Sequence, residues 1–226
     1  MTSMRPPFPR PIEARDFDAI IASDKEMYPT DNPLTAQIMA KWFTHYPEFG
    51  MIYDGFGCCI IVPVTKSTWE AYIKQEIDES QLANGIFDGT STIDSKIGLH
   101  LYHIEKSQAW TRQFDRMANI VLADIRTILY NINQRRATQL ILKPLDVIGF
   151  SALAASDAGF NMAKKVFRMV PLYDAQEILY HNIKTQELAI FTTKNQPKSS
   201  NEWQIQGEVR LMALKGSSAC RNLLFV

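Results

Sequence analysis

Histidine is the side chain whose ordinary pKa, about 6.5, lets it exchange a proton near neutrality. The chain has 4 of them, and His100 and His103 share one alternating stretch, Lys96 to Glu105. There Leu99 and Leu101 alternate with His100 and Tyr102, the period-two signature of a strand. That period puts Ile97, Leu99, Leu101, His103 and Glu105 on one face and Gly98, His100, Tyr102 and Ile104 on the other. His100 is therefore a candidate general base. Tyr102, on its face, is placed to orient a substrate. Glu105 ends the strand, where a carboxylate can reach a cleft. The competing structural roles are a hydrogen-bonded core histidine and a glutamate that compensates a helix start.

Other chemistry-bearing residues offer less. Ser151 lacks the flanking glycines of a nucleophile elbow. Asp54, Asp88 and Asp94 are scattered without calcium-loop spacing. The 3 cysteines are Cys58, Cys59 and Cys220. An odd count with an adjacent pair fits neither a disulfide framework nor a zinc site, so no metal is expected. Formal net charge is +0 from 24 basic and 24 acidic residues. No long-range field would draw in nucleic acid or a membrane, and neither is expected as a partner. No window approaches the ~20 apolar residues of a membrane span. The Pro-rich start lacks the apolar stretch of a secretory signal, so a cytoplasmic protein is expected.

The elements that must hold these residues follow from punctuation and periodicity. The 226 residues suit one domain with an appendage. Ile12 to Ala14 opens a first strand, Asp16 reads as an N-cap, and Ile20, Ile21 and Met27 stripe a helix that Pro29 stops. A second helix begins near Pro33 and carries Trp42 and Phe43. Strands at 50–53 and 57–64 flank Asp54-Gly55, a hairpin signal. Residues 65–77 form a helix with Trp69, Tyr72, Ile73 and Ile77 on one side. After the 96–105 strand, Trp110 to Leu129 carry a long helical stripe. Ala137 to Leu142 predicts a strand, and Ser151 to Ala158 a short Ala-rich helix closed by Gly159. Val166 to Val170 and Glu177 to Tyr180 predict closing strands. Residues 194–202 read as a polar linker. The sum is an α/β fold, a central mixed sheet covered by helices.

This order resembles the GNAT superfamily of N-acetyltransferases over residues 10–183, with 184–226 as a C-terminal extension of unknown role. Three segments carry the resemblance: Arg10-Pro-Ile-Glu-Ala-Arg15-Asp16-Phe17, the strand Ile97-Gly-Leu-His-Leu-Tyr-His-Ile104, and Ser151-Ala-Leu-Ala-Ala-Ser-Asp-Ala-Gly159-Phe160. It implies an acyl-coenzyme A N-acyltransferase fold. The activity implied is transfer of an acetyl group from acetyl-coenzyme A to a primary amine of a small molecule or peptide. His100 stands where arylalkylamine-type members place a base. Tyr102, His103, Ile104, Glu105 and Lys106 would line the pantetheine arm. Arg112, Gln113, Arg116 and Met117 would meet the diphosphate at a helix start. The family's phosphate loop uses glycines, whereas this chain has Arg112 and Phe114, or in a shifted register Arg116 and Ala118, at those positions. Lys106, Arg112 and Arg116 would then supply charge-assisted contacts instead. The family's acid tyrosine is replaced by Ala155, which leaves Tyr173 as the nearby substitute. Trp42, Phe43, Trp69 and Tyr72 would shape the amine pocket. The broken loop and Ala155 equally suit a catalytically inactive binding or regulatory module, able to pair as a homodimer through 184–226. Another acyl donor is a third reading.

Overall fold

The computed structural model describes residues 8–29, 33–89, 95–106, 117–139, 142–175, 177–192, 197 and 202–225. Asp54 and Gly55 turn the chain between β2 (Gly50–Tyr53) and β3 (Gly57–Thr65), which pair antiparallel. The two-residue β1 (Arg10–Pro11) lies on the outer edge of β2. The first strand therefore sits slightly earlier than Ile12 to Ala14. Asp16 does not cap the helix it precedes. Its carboxylate takes the Arg10 guanidinium at 2.7 and 2.8 Å and the Glu13 N–H at 2.9 Å, tying the chain's entry to the sheet. α1 (Phe17–Met27), α2 (Ala36–Trp42) and α3 (Lys66–Ile73) follow. Thr35 and Thr65 cap the last two through their side chains, the ordinary N-terminal arrangement.

β4 (Lys96–Lys106) pairs antiparallel with β3 from Ile97 to Lys106, with one interruption, and parallel with β5 (Asp146–Ala154) only as far as Leu101. α4 (Met117–Thr138) makes the crossover between them. α5 (Asp157–Lys165), β6 (Val170–Pro171), β7 (Glu177–Asn182), β8 (Leu188–Thr192), β9 (Trp203–Lys215) and α6 (Ser217–Leu224) complete the chain. The described strands form one mixed sheet in the order β1-β2-β3-β4-β5-β9-β7-β8, with β6 paired to β9. β4–β5 is the parallel neighbour pair, and the other pairings are antiparallel.

Three expectations change here. Of the strand expected at Ala137 to Leu142, Ala137 and Thr138 end α4, and residues 140–141 lie outside the described residues. The first half of the helix expected at Ser151 to Ala158 is strand: β5 runs to Ala154, and α5 starts at Asp157. Alanine favours helix by intrinsic propensity, but a segment hydrogen-bonded to β4 on one side and β9 on the other is decided by its tertiary setting. Gly159 accordingly lies in the first turn of α5, where its N–H donates to the N-cap Ser156 Oγ at 3.1 Å, rather than beyond a helix end. The expected strand Val166 to Val170 is reduced to Val170–Pro171.

Residues 184–226, set apart in sequence as an extension, hold β9. This 13-residue strand lies between β5 and β7, and α6 then packs Cys220, Leu223 and Leu224 into the main core. The boundary at residue 183 thus falls within a continuous sheet.

Two apolar layers clothe the sheet. Ile97, Leu99, Leu101, Phe150 and Ala152 share a core with Val121 and Ile125 of α4, Ala163 of α5 and Leu223 of α6. Cys58, Ile60, Val62 and Val64 face α1, α2 and α3 through Ile20, Met39, Trp42 and Trp69. Burial of this kind contributes about 25 cal/mol per Å² of apolar surface and carries most of the fold's stability. No described helix is long and apolar enough to cross a membrane.

Candidate functional site

The site is made by a change of register along β4. Ile60 pairs with His103 while Ile61 pairs with Leu101, so Tyr102 is the extra residue of a bulge. A bulge re-aims the side chains beyond it. Simple alternation would put His103 and Glu105 on the face opposite His100. Instead His103 lies against α1, with Nδ1 3.6 Å from Asp24 and its ring edge-on to Tyr28. Tyr102 lies on the same side, its hydroxyl donating to Asp24 at 3.4 Å and its ring 4.8 Å from Trp42. Ile104 goes to the other face and packs against the α4-side core.

Pairing between β4 and β5 stops near the same point. Its last registered pair is Leu101 with Ala152, although β4 runs to Lys106 and β5 to Ala154. Beyond Leu101 the β4 backbone has its β3 partners and no β5 partners among the described residues. A cavity of about 660 Å³ opens where the strands part, bounded by Tyr102 on β4, Leu153 and Ala155 at the end of β5, and Asp24, Tyr28 and Trp42 on the helices. Glu79, in a 3-10 turn after α3, completes its wall.

Before the parting, the two strands are zipped around an indole. Gly98 and Gly149 are register partners, and a Cβ on either would come within 2.1 Å of the Trp69 ring. The missing side chains are the space Trp69 occupies. Its Nε1–H donates to Ser151 Oγ at 3.1 Å, and Ser151 Oγ is 3.0 Å from His100 Nδ1. His100 Nε2 is 2.8 Å from Glu79 Oε1. Because Ser151 accepts the indole N–H, its own proton is available to His100 Nδ1. Nε2–H is then left to donate to the Glu79 carboxylate. The ring is fully buried, with 0% exposure, and stacks edge-on to Tyr72 at 5.0 Å. His100 therefore does not line the cavity; Glu79 stands between them.

The two strand histidines are in different electrostatic settings. Burial opposes a charge on His103, but Asp24, Cys58 and Glu105 outweigh it and push its pKa up to about 12. It is a fixed cation at neutral pH, with Nε2–H donating to Glu105 at 3.3 Å, and Glu105 is held below the usual carboxylate range chiefly by that bond. Cys58, His103 and Glu105 bring possible ligand atoms within 4.8 Å of one another. A doubly protonated imidazole cannot ligate a metal, so this trio reads as a charge cluster. Burial also raises Tyr28 and Tyr102, which keeps both phenols protonated.

Sequence and structure coincide on some residues and part on others. His100, Tyr102, His103 and Glu105 come together on one face, more closely than alternation allows. Tyr173 lines a neighbouring cavity, and its hydroxyl is engaged, donating to the Ile73 carbonyl at 2.8 Å. Lys106 ends β4 opposite Gly57. Met117 opens α4 with its side chain in the core, so it offers a ligand backbone only. Arg112, Gln113 and Arg116 lie outside the described residues, as does Asp94. Asp24 and Glu79 were not foreseen. Asp24 carried a signal, a carboxylate four residues after Ile20 in line with the helix's apolar stripe. Glu79 carried none.

No family model matches the sequence, and no curated protein matches it. Among solved structures, Ard1 from Thermoplasma volcanium is similar over 92% of this chain and 96% of its own, at 8% identity and a TM-score of 0.41. Arylalkylamine N-acetyltransferase 2 from Aedes aegypti is similar over 92% of this chain and 97% of its own, at 10% identity and a TM-score of 0.40. Both likenesses are low in score and identity, and neither gives a residue of this chain a role.

Proposed function

We propose that this chain is an N-acetyltransferase that moves an acetyl group from acetyl-coenzyme A to a primary amine. The observation that carries the reading is the parting of β4 from β5 beyond Leu101 and Ala152, with an acid-lined cavity at the gap. An extended, amide-bearing arm can take up backbone groups that β4, beyond Leu101, does not pair with β5 among the described residues. Glu79 faces the cavity and accepts the proton of the incoming ammonium. The free amine then attacks the thioester carbonyl carbon, the C–S bond breaks, the departing thiolate takes up the proton that the acylated nitrogen sheds, and Glu79 releases its own proton to solvent. His100 is a positioning residue in this scheme: its Nε2–H holds one Glu79 oxygen, and Ser151 and Trp69 fix its tautomer. Positioned acid–base groups of this kind contribute about 10²–10⁴-fold. His103 is excluded as the base because it is already protonated.

The absence of glycines across residues 107–118 favours a second reading, a binding module that has lost the nucleotide. Thermal-shift titration with acetyl-coenzyme A separates the two. A melting point that rises with ligand, with coenzyme A found by mass spectrometry in the purified protein, supports the transferase. An unmoved melting point at millimolar acetyl-coenzyme A rejects it.

A further inference from the structure

The cavity at the parted strands does not stand alone. A second one of about 760 Å³ adjoins it, and the two share Asp78, Glu79, Leu153, Glu177 and Val209 as a common wall. Asp24 adds a carboxylate at the far end of the first, and Asp174 adds one in the second. Among the described residues, neither lining contains a lysine, arginine or histidine. Asp24 is balanced by His103, and Glu79 is held by His100. Asp174 and Glu177 have no ion-pair partner among the described residues. Between the carboxylates the shared wall is aliphatic, Leu153 from β5 and Val209 from β9.

A buried polar atom points to an occupant. The Tyr72 hydroxyl belongs to a side chain only 4% exposed, lines the second cavity and has no hydrogen-bond partner among the described residues. Leaving such a group unpaired is unfavourable, and a ligand that pairs with it removes that cost. The charges acting on that hydroxyl are those of Glu79 and Asp78, so it stands beside the shared wall. A protonated amine seated there donates to the phenol oxygen and to a carboxylate together. In the first cavity, the Trp42 and Tyr102 rings offer faces that attract an ammonium group.

Resting on the acetyltransferase reading above, we infer that the acceptor is a linear polyamine lying along both cavities. One end amine meets Glu79 for acetylation, a second ammonium sits by Tyr72 and Glu177, and the methylenes between them cover Leu153 and Val209. Carboxylates separated by aliphatic side chains match ammonium groups separated by methylenes. A single charge would leave Asp174 and Glu177 unanswered.

Calorimetry on the full chain, with spermidine and butylamine as probes and no acetyl-coenzyme A, tests the site apart from the chemistry. Spermidine is expected to bind at least about tenfold more tightly than butylamine, a difference of about 1.4 kcal/mol. That advantage should vanish in the Asp174→Asn, Glu177→Gln double variant and shrink at about 0.5 M salt. Both changes are on exposed side chains, and an unchanged melting point verifies the fold. Equal binding of the two amines, or spermidine affinity unmoved in the double variant, overturns the inference. So does tighter binding of a lysine-rich peptide than of spermidine. Acetylation of butylamine and spermidine at equal kcat/KM sinks the polyamine inference and leaves the transferase standing. Selective spermidine binding without acetylation of any amine does the reverse.

Discussion

The two halves of β4 differ in nearly every respect that matters for chemistry. From Lys96 to Leu101 the strand is paired on both edges and carries a fully buried histidine in a closed chain of hydrogen bonds. From Tyr102 to Lys106 it is paired to β3, has left β5, and carries a histidine fixed as a cation between carboxylates. One inserted residue, Tyr102, marks the change. The first half supplies rigidity and the second supplies access. A site on their junction has a proton acceptor held from behind and room in front, the preorganisation that acid–base catalysis requires.

Four measurements break or sharpen that contrast. The largest effect is expected from Glu79→Gln, where the two halves meet at the cavity. Acetyl transfer should fall about 10²–10⁴-fold in kcat while the melting point stays within a few degrees. Retained turnover would move the base elsewhere. Next comes Gly149→Ala in the zipped half, whose new methyl meets the Trp69 ring. Overpacking of this kind costs about 1–3 kcal/mol in chemical denaturation, and Trp69→Leu in the same chain should recover part of it. A neutral Gly149→Ala would show that the indole is loosely seated.

Ser151→Ala is third. It leaves the Trp69 N–H and His100 Nδ1 without their partner, for about 1–2 kcal/mol. If the chain of bonds positions Glu79, the pH–rate profile must shift as well, whereas a purely structural role lowers stability and leaves the profile alone. The smallest effect over an ordinary pH range belongs to the open half. His103 has its folded pKa raised from 6.5 to about 12, so the folded state holds a proton that the unfolded state releases above 6.5. Its stabilisation is complete below 6.5 and declines as pH rises towards the folded value. Between 6.5 and about 8.5, below the range of free thiols and phenols, the melting point should drop by a few degrees. His103→Gln should flatten that slope, and an unchanged slope would show that the ring is neutral.

The sequence disclosed the two halves unequally. Alternation located the strand, its start and the burial of Ile97, Leu99 and Leu101, because local periodicity records a face that packs. It could not disclose the bulge, since an inserted residue leaves the hydrophobic pattern of a short strand end ambiguous. Hence His103 and Glu105 fell on the wrong face. The run Ser151 to Ala155 misled in the opposite direction. Its alanines favour helix in isolation, and only β4 and β9, from distant parts of the chain, make it a strand. Glu79 was invisible for the same reason: its partner His100 is 21 residues away and no repeat connects them. Gly98 gave no hint that it makes room for an indole contributed by another element.

The placement of β9 has a consequence for how the molecule comes into being. Residues 203–215 leave the ribosome after every other described strand, yet they occupy a position inside the sheet, between β5 and β7. Until they arrive, β5 displays an open row of amides and carbonyls beside a nearly assembled core, the kind of template on which neighbouring nascent chains pair wrongly. Synthesis of the stretch between β5 and β9 is thus the interval of greatest risk, and truncation at residue 183 should yield an aggregating product rather than a smaller working domain.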